Sequence, residues 1–366
     1  MDDTDGAYVI AAGGTGGHIF PGIALAREIR RQRPGSPVVF VGSPRGLEER
    51  LVPEAGFPLE LVPASGFAGK SLAGRLSSLA RLPAGFLRAR RLLRRHRARA
   101  VAGVGGYVTV PVLLAAWSLD LPTLIHESNA RPGIANRRLN RFATRTAVGL
   151  AAANAGLARP GVVTGTPARP EFFSVAPLEP SASTRRLLVF GGSQGSSVLN
   201  RAMIEAAALL ARENVEVIHQ TGEKHHAGVR KDYGTIPPGW RIEPFLPRLY
   251  EELAWADLVL SRAGATTLAE LAAAGRPALL VPFGLATHGH QLENARAFEN
   301  AGAARFLEEK DLSGPVLAAR IAGLFSDRPG LARMGERARA LARPDAARRL
   351  ADLLFEAEEI GKAPAK

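Results

Sequence analysis

Three glycine-rich segments, each directly after a short apolar run, stand out in this chain of 366 residues. They are the first glycine loop (residues 13–18), the second (residues 103–107) and the third (residues 191–195). Glycine lets a backbone turn sharply and approach a ligand closely, and a following helix offers N–H groups to an anion. The first loop has neither the G-x-G-x-x-G order of a dinucleotide site nor the Gly-Lys-Ser/Thr of a Walker P-loop. The pattern predicts backbone amides that bind an anion where strands end.

Polar side chains follow other predicted strands at equivalent positions. His126, Glu127 and Asn129 end one strand, and Glu270 lies on a predicted helix within residues 261–274 whose other residues are mostly apolar. We interpret His126 as a structural histidine, and Glu127 and Asn129 as functional residues. A carboxylate at Glu270 is suited to accept hydrogen bonds from both ribose hydroxyls, a recurring role for acidic residues in nucleotide sites.

No pattern in the sequence requires a metal or a cofactor. His288 and His290 are one residue apart without a third ligand, which is weak evidence for a metal site. The segment Asp3-Thr4-Asp5 precedes the first strand, where we expect a frayed terminus. The chain has no Cys, which excludes disulfides, a thiolate nucleophile and Cys-ligated metals. We predict a site that works without a bound metal.

Two series of short apolar strands alternate with helical segments, which is typical of parallel sheets covered on both faces. In the first series the predicted strands are residues 8–12, residues 38–42, a run that begins at Val101, and residues 123–126. In the second series they are residues 187–190, 215–219, 258–260 and 278–281. A helix is predicted at 22–33, and a proline-rich stretch separates the series. We predict an α/β fold with two doubly wound Rossmann-like domains, residues 7–165 and 166–344, facing across a cleft. A terminal helix at about 345–360 is a candidate to pack back on the first domain.

The net charge of +13 is concentrated in the first 160 residues, which carry 22 Lys and Arg against 10 Asp and Glu. Residues 81–99 alternate arginines with leucines, which predicts a basic amphipathic helix. Such a helix is either an ordinary packed surface helix or a surface for anionic lipids or nucleic acids. Because only 6% of residues are aromatic and no RNA-binding aromatic motif occurs, we favour a membrane surface over nucleic acid. Glycines and Pro111 interrupt the uncharged residues 100–119, so we expect peripheral contact rather than a membrane span.

In this combination and order, the motifs resemble those of the MurG family of bacterial glycosyltransferases. The resemblance runs from about Tyr8 to the C-terminal helix and is carried by residues 13–18 with Pro21-Gly22, 105–107, 126–129, 191–195 with Leu199-Asn200, and 263–270. It implies a GT-B fold and an inverting, metal-independent hexosyltransferase without a cofactor. The implied reaction transfers N-acetylglucosamine from UDP-N-acetylglucosamine to the 4-hydroxyl of the MurNAc unit of lipid I, giving lipid II for peptidoglycan synthesis. The donor would bind mainly to the second domain and the lipid acceptor to the first.

The resemblance also implies roles for individual positions. Those expected beside the donor sugar and phosphates are Thr15, Gly16, Gly17 and Asn129, with Arg169 and Ser193 at the diphosphate. Those expected at uracil, ribose and a sugar hydroxyl are Leu246, Ala265, Thr266, Thr267, Leu268, Ala269, Glu270 and Gln291. Tyr107 is expected on the acceptor side. Ser128, Thr166 and residues 287–290 differ from the usual family pattern.

The attacking hydroxyl must lose a proton, and His18 and Glu127 are both candidates for the catalytic base. We prefer His18 because a neutral imidazole accepts a proton near pH 7, whereas Glu127 would need help from burial. A role for His18 limited to orienting phosphate or sugar stays open.

The implied location is the cytoplasmic face of the plasma membrane, with cell-wall synthesis and division proteins as further candidate partners. Two rival functions stay open. One is another GT-B enzyme, such as a glycolipid synthase or a UDP-N-acetylglucosamine 2-epimerase. The other is a catalytically silent nucleotide-binding module or membrane scaffold.

Overall fold

The computed structural model describes residues 6–44, 46–64, 72–179, 183–284 and 289–362, with the backbone alone for residues 72–81 and 362. The chain divides into two compact units. The first unit comprises Met1–Ala168 and Asp345–Lys366, and the second comprises Arg169–Pro344. The segment Asp3-Thr4-Asp5 and His288 lie outside the described residues.

A parallel sheet of seven strands forms the centre of the first unit. Its strands are β1 (Tyr8–Ala12), β2 (Val38–Gly42), β3 (Leu59–Leu61), β4 (Ala100–Gly105), β5 (Thr123–Glu127), β6 (Arg145–Val148) and β7 (Val162–Val163). The order is β3-β2-β1-β4-β5-β6-β7, so the direction of winding reverses between β1 and β4. Strands β1, β2, β4 and β5 are buried along their whole length, as expected for continuous apolar runs covered on both faces.

The helices of this unit follow the strands, and two of them differ from the prediction. They are α1 (Gly16–Gln32), α2 (Glu48–Glu54), α3 (Leu72–Arg95), α4 (Thr109–Trp117) and α5 (Ile134–Leu139). Helix α1 begins at Gly16 rather than Gly22, because Thr15 takes the extended N-cap conformation and Pro21 is accommodated inside the helix. The helix predicted over residues 81–99 begins and ends earlier in the structure, at Leu72 and Arg95. Arg97, just past its end, has a positive φ of 47°, and the chain turns there towards β4.

A second parallel sheet, of six strands, forms the centre of the second unit. Its strands are β8 (Arg186–Phe190), β9 (Glu216–Gln220), β10 (Trp240–Glu243), β11 (Leu258–Ser261), β12 (Ala278–Leu280) and β13 (Ala304–Phe306). The order β10-β9-β8-β11-β12-β13 repeats that of the first six strands of the first sheet. The helices are α6 (Ser197–Arg212), α7 (His226–Tyr233), α8 (Leu249–Trp255), α9 (Ala265–Ala274), α10 (His290–Asn300), α11 (Gly314–Ser326) and α12 (Arg328–Ala340). The predicted α/β class with two doubly wound units is therefore confirmed.

The last helix, α13 (Ala346–Lys362), belongs to the first unit. Its Glu358 is buried and accepts hydrogen bonds from the Tyr8 hydroxyl at 2.5 Å and from Arg99 Nε at 2.8 Å. Arg33 Nη1 donates to the same carboxylate at 2.6 Å. One side chain of α13 thus forms hydrogen bonds to the first strand, to the end of the first helix and to the residue before β4. Within the described residues no helix combines the length and hydropathy needed to cross a bilayer.

Candidate active site

The first glycine loop joins β1 to α1, at the position where the strand order of the first sheet reverses. Gly14 has a positive φ of 89°, and Thr15 is the exposed N-cap of α1. Gly16 and Gly17, both half-buried, begin the helix itself. Ligands of doubly wound sheets bind beside such a reversal, at the carboxyl ends of the strands.

His18 lies in the first turn of α1 with its ring held by the backbone. Its Nδ1 is 3.2 Å from the carbonyl oxygen of Gly13. A carbonyl oxygen only accepts, so in the neutral ring Nδ1 carries the hydrogen and Nε2 keeps a lone pair. Burial lowers the pKa of His18, although the Gly13 carbonyl and the charges of Glu127 and Glu48 act in the opposite direction. A neutral imidazole with a free Nε2 lone pair is the form that accepts a proton.

The second glycine loop packs against the first. A Cβ at Gly105 would lie 2.3 Å from Cδ2 of His18, and one at Gly106 would lie 2.3 Å from the Gly13 oxygen. Both glycines also have positive φ values, 128° and 85°. These glycines are therefore explained by close packing on the His18 loop, and the exposed Tyr107 follows them.

Glu127 is buried at the end of β5 and holds the loop that follows it. Its Oε1 accepts from the backbone N–H and the side-chain amide of Asn129, at 2.9 and 3.0 Å. Its Oε2 accepts from the Gly133 N–H at 3.0 Å and from the Asn136 amide at 2.9 Å. Both carboxylate oxygens are thus engaged in shaping residues 128–136, and Asn129 is positioned by this contact.

The neighbouring His126 is buried near the end of β5. Its Nε2 lies 3.2 Å from the Gly165 carbonyl oxygen, and the ring is buried. Burial lowers the pKa of His126 to about 4, so the ring is neutral near pH 7.

Glu48, which the sequence-based reasoning missed, lies behind the first glycine loop. Its carboxylate is fully buried and accepts a hydrogen bond from the Gly14 N–H at 2.9 Å. The only sequence clue is its place among the glycines that follow β2, and that clue gives no indication of which loop the side chain reaches.

The third glycine loop joins β8 to α6 and packs on the end of β9. Gly192 and Gly195 have φ values of 86° and 73°, and the Gly195 N–H donates to the Gly192 carbonyl at 3.0 Å. A Cβ at Gly195 would lie 2.0 Å from the Thr221 carbonyl oxygen. Ser193 is exposed between these glycines, and Ser196 caps α6 by accepting from the Leu199 N–H at 3.3 Å.

A buried chain of neutral polar groups, also missed by the sequence-based reasoning, supports this loop. The amide nitrogen of Asn200 donates to the Thr221 carbonyl at 3.0 Å. The Asn200 amide oxygen therefore accepts from Nε2 of His219 at 3.0 Å, and His219 Nδ1 accepts from the Tyr233 hydroxyl at 2.8 Å. Burial lowers the pKa of His219 to about 3, which keeps the ring neutral.

Arg169 and Glu270, predicted for different parts of a nucleotide, are brought together in the second unit. Arg169 donates to Oε1 of Glu270 from Nη2 at 3.0 Å and from Nε at 3.3 Å. Its guanidinium also lies 4.6 Å from the ring centre of Phe172. Burial raises the pKa of Glu270 to about 7, and the charge of Arg169 opposes that rise.

The other predicted residues of the second unit follow the ends of its strands. The start of α9 exposes parts of Ala265, Thr266, Thr267 and Ala269, whereas the Leu268 side chain lies in the core. Leu246 is buried after β10, and Gln291 lies on α10, where its Oε1 accepts from the Phe283 N–H at 2.9 Å. Because the strands are parallel, these segments and Ser193 all lie at one edge of the sheet. Among the described residues no group of three or more His, Asp or Glu is arranged to hold a metal ion.

Comparison with known proteins matches both units to one family. Residues 8–148 match the glycosyltransferase family 28 N-terminal domain, and residues 186–350 match the glycosyltransferase family 28 C-terminal domain.

Similar proteins cover nearly the whole chain. An Anaeromyxobacter dehalogenans protein is 44% identical over 95% of this chain and 92% of its own length. A Pelobacter propionicus protein is 42% identical over 94% of this chain and 97% of its own length. Both are named UDP-N-acetylglucosamine--N-acetylmuramyl-(pentapeptide) pyrophosphoryl-undecaprenol N-acetylglucosamine transferase. The crystal structure of Acinetobacter baumannii MurG matches with a TM-score of 0.76 and 30% identity, over 96% of this chain and 99% of that one.

Proposed function

The chain belongs to glycosyltransferase family 28, and from that premise we propose that it transfers N-acetylglucosamine from UDP-N-acetylglucosamine to lipid I. The product is lipid II, and the reaction inverts the anomeric centre. The observation that carries this proposal is the 44% identity, over 95% of the chain, to a relative named for that transfer. The two Rossmann-like units of a GT-B enzyme support it, as does the presence of chemically suitable groups at the strand ends of both.

The second unit supplies the groups that stabilise the leaving UDP. The diphosphate gains negative charge as the glycosidic bond breaks, and preorganised N–H groups and cations stabilise such charge. The amides of the third glycine loop, the N-terminus of α6 and Ser193 are suited to this role. Glu270 holds the planar guanidinium of Arg169 in a fixed orientation, and such a group is well matched to phosphate. Glu270 and the first turn of α9 receive the ribose and uracil.

The first unit supplies the base for the acceptor hydroxyl. Nε2 of His18 accepts the proton as the hydroxyl oxygen attacks the anomeric carbon from the face opposite to UDP. His18 is favoured over Glu127 because no hydrogen bond among the described residues engages its Nε2, whereas four hydrogen bonds already engage the Glu127 carboxylate. Glu127 instead shapes the loop that presents Asn129 to the donor sugar.

The test is incubation with labelled UDP-N-acetylglucosamine and a lipid I analogue, with and without EDTA. We expect a disaccharide-lipid product in both conditions. Epimerisation or hydrolysis of the donor without acceptor would instead identify another GT-B enzyme. Binding of UDP without any transfer would identify a silent nucleotide-binding module.

We further propose that the first unit docks on the anionic cytoplasmic face of the plasma membrane, where the lipid acceptor lies. Trp117 and Phe142 are 55% and 52% exposed, with ring centres 5.3 Å apart. Arg90 of α3 donates to the Ser118 carbonyl at 2.9 Å, which places the basic helix beside this aromatic pair. Exposed arginines lie on α3 and on the segment just before Phe142, namely Arg88, Arg91, Arg94, Arg137, Arg138 and Arg141. Arg95 and Arg99 of the same run instead pair with Glu60 and Glu358.

Vesicle binding tests this docking surface. We expect sedimentation with vesicles containing phosphatidylglycerol, because each nearby basic residue contributes about 1 kcal/mol of attraction. Salt should weaken this binding by screening the charges. The double variant W117A/F142A should bind less than the wild type, whereas F245A, which removes an exposed aromatic ring from the second unit, should bind normally. Equal binding of both variants, or binding unaffected by salt, would contradict the proposal.

A further inference from the structure

We propose that Glu48 is a positioning residue for proton transfer, acting on His18 through the single peptide group between Gly13 and Gly14. This inference rests on the proposed function and deepens it. The N–H of that peptide group donates to Glu48 Oε2 at 2.9 Å. Its carbonyl oxygen lies 3.2 Å from Nδ1 of His18. One rigid peptide plane therefore connects the carboxylate to the imidazole.

The surroundings of Glu48 are built to keep a buried negative charge. The residue has no exposed surface, and Oε1 accepts from both the N–H and the hydroxyl of Ser43 at 2.9 Å. Within the described part of the chain no Lys or Arg forms an ion pair with it. These hydrogen bonds engage both oxygens of the buried carboxylate close to the loop, as a buried polar group requires.

Three glycines make the space that the carboxylate occupies. A Cβ at Gly13, Gly42 or Gly46 would lie 2.5, 2.6 or 2.0 Å from a side-chain atom of Glu48. On the opposite side, a Cβ at Gly106 would lie 2.3 Å from the Gly13 oxygen. The peptide group is thus enclosed between Glu48 and the second glycine loop.

This arrangement selects the tautomer that the reaction needs. With the peptide plane held by Glu48, the Gly13 oxygen faces Nδ1 and requires a hydrogen there. The lone pair is then on Nε2. Hydrogen bonds in series also polarise one another, so the carboxylate strengthens the acceptor at Gly13. A carboxylate that only closed the turn between β2 and α2, without a hydrogen bond to the Gly14 N–H, would leave the orientation of the Gly13 oxygen unspecified.

The variants E48Q and E49Q provide the matched test. Both remove one negative charge from adjacent residues, but Glu49 is exposed whereas Glu48 is buried behind the loop. We expect E48Q to lower kcat about tenfold or more, a part of the ~10²–10⁴-fold that a positioned base supplies. The KM for UDP-N-acetylglucosamine should change little. E49Q should match the wild type.

The pH profile tests whether the charge of Glu48 reaches His18. Glu127 and Glu48 raise the pKa of His18, while burial lowers it and His126 beside them stays neutral near pH 7. Activity requires neutral His18, so the acid limb of the kcat profile follows its pKa. Removing the Glu48 charge lowers that pKa, and the acid limb of E48Q should move to lower pH. A drop in kcat together with an unmoved limb would overturn the proposal.

A second measurement needs no folded variant of Glu48. In the wild-type protein labelled with ¹⁵N-histidine, the His18 signals, assigned by comparison with H18A, should report the Nδ1–H tautomer. An Nε2–H tautomer would overturn the proposal. If the wild type transfers no sugar, the proposed function fails. The tautomer of His18 still decides whether Glu48 acts on it through the Gly13–Gly14 peptide group.

Discussion

The first and third glycine loops follow the central strands, β1 and β8, of two sheets with the same strand order, yet different chemistry holds each loop. A buried carboxylate, Glu48, holds the first loop. A neutral chain from Asn200 to Tyr233 supports the third. The difference matches what each loop is proposed to meet. Negative charge behind the first loop favours proton uptake by His18, whereas the same charge behind the third would repel a departing diphosphate.

The two loops repeat a backbone motif without repeating a function. Both loops need glycines with positive φ, and in both a close neighbour excludes a side chain. The neighbour of the first is the Glu48 side chain, whose Oε1 would lie 2.5 Å from a Cβ at Gly13. The neighbour of the third is the Thr221–Gly222 backbone.

The largest effect is expected from H18A, which removes the base but leaves the second unit intact. We expect kcat to fall by about 10²–10⁴-fold, the usual contribution of a general base. UDP affinity, measured by calorimetry, should remain near the wild-type value because the proposed UDP site lies in the other unit. Turnover close to wild type at saturating substrate would eliminate His18 as the base. The proposed difference in function between the first and third loops would then lose its basis.

Next in size is the contrast between G195A and G192A in the third loop. Both positions have positive φ, which costs an L-residue about 1–2 kcal/mol. Only the Cβ of G195A would collide with backbone, at 2.0 Å from the Thr221 oxygen, while G192A has open space. We expect G195A to lower UDP affinity about tenfold or more and to lower Tm further than G192A. Equal losses in the two variants would show that loop packing on Thr221 is unimportant.

The electrostatic part of the comparison is tested by N200D. This variant places a carboxylate behind the third loop and should weaken UDP binding more than N200A does. The loss of buried hydrogen bonds in N200A costs about 1–3 kcal/mol of unfolding free energy. N214D adds the same charge at an exposed position of the second unit and serves as the control. If N200D binds UDP as tightly as N200A, charge is not the reason for the neutral network.

The smallest effect concerns acid stability, which should differ between the units. His126 and His18 in the first unit, and His219 in the second, have pKa values below the usual 6.5. Each unfolded histidine binds a proton more readily, so stability is lost as pH falls below about 6.5. Glu270 has its pKa raised to about 7 in the second unit, so the folded state binds its proton more readily between about 4.5 and 7. The contribution of Glu270 to the free energy of unfolding therefore grows as pH falls through that window. It offsets the stability that His219 loses over the same range.

Hydrogen exchange resolved by unit measures this difference. Between pH 7 and pH 5, after correction for intrinsic rates, β1 and β4 should lose more protection than β8 and β11. The variant H126Q should reduce the loss in the first unit. Parallel losses in both units would contradict the assignment of these pKa shifts.

The sequence predicted the sheets because their strands are continuous apolar runs, and it predicted the loops because glycine is required where they turn. It placed the start of α1 wrongly, since the proline at position 21 is usually a start signal but here lies inside the helix. It missed Glu48, whose partner Gly14 is 34 residues away. It also gave no sign that Arg169 and Glu270, 101 residues apart, would pair. Periodicity describes which face of an element is buried, whereas these contacts depend on tertiary structure.

The return of α13 to the first unit has a consequence for biosynthesis. Tyr8, Arg33 and Arg99 leave the ribosome long before Glu358, so their buried partner is missing while the second unit is made. Domains usually mature in the order of their synthesis. In this chain we expect the order to be reversed, since Arg169–Pro344 is contiguous and can close its core before the last helix of the first unit is made.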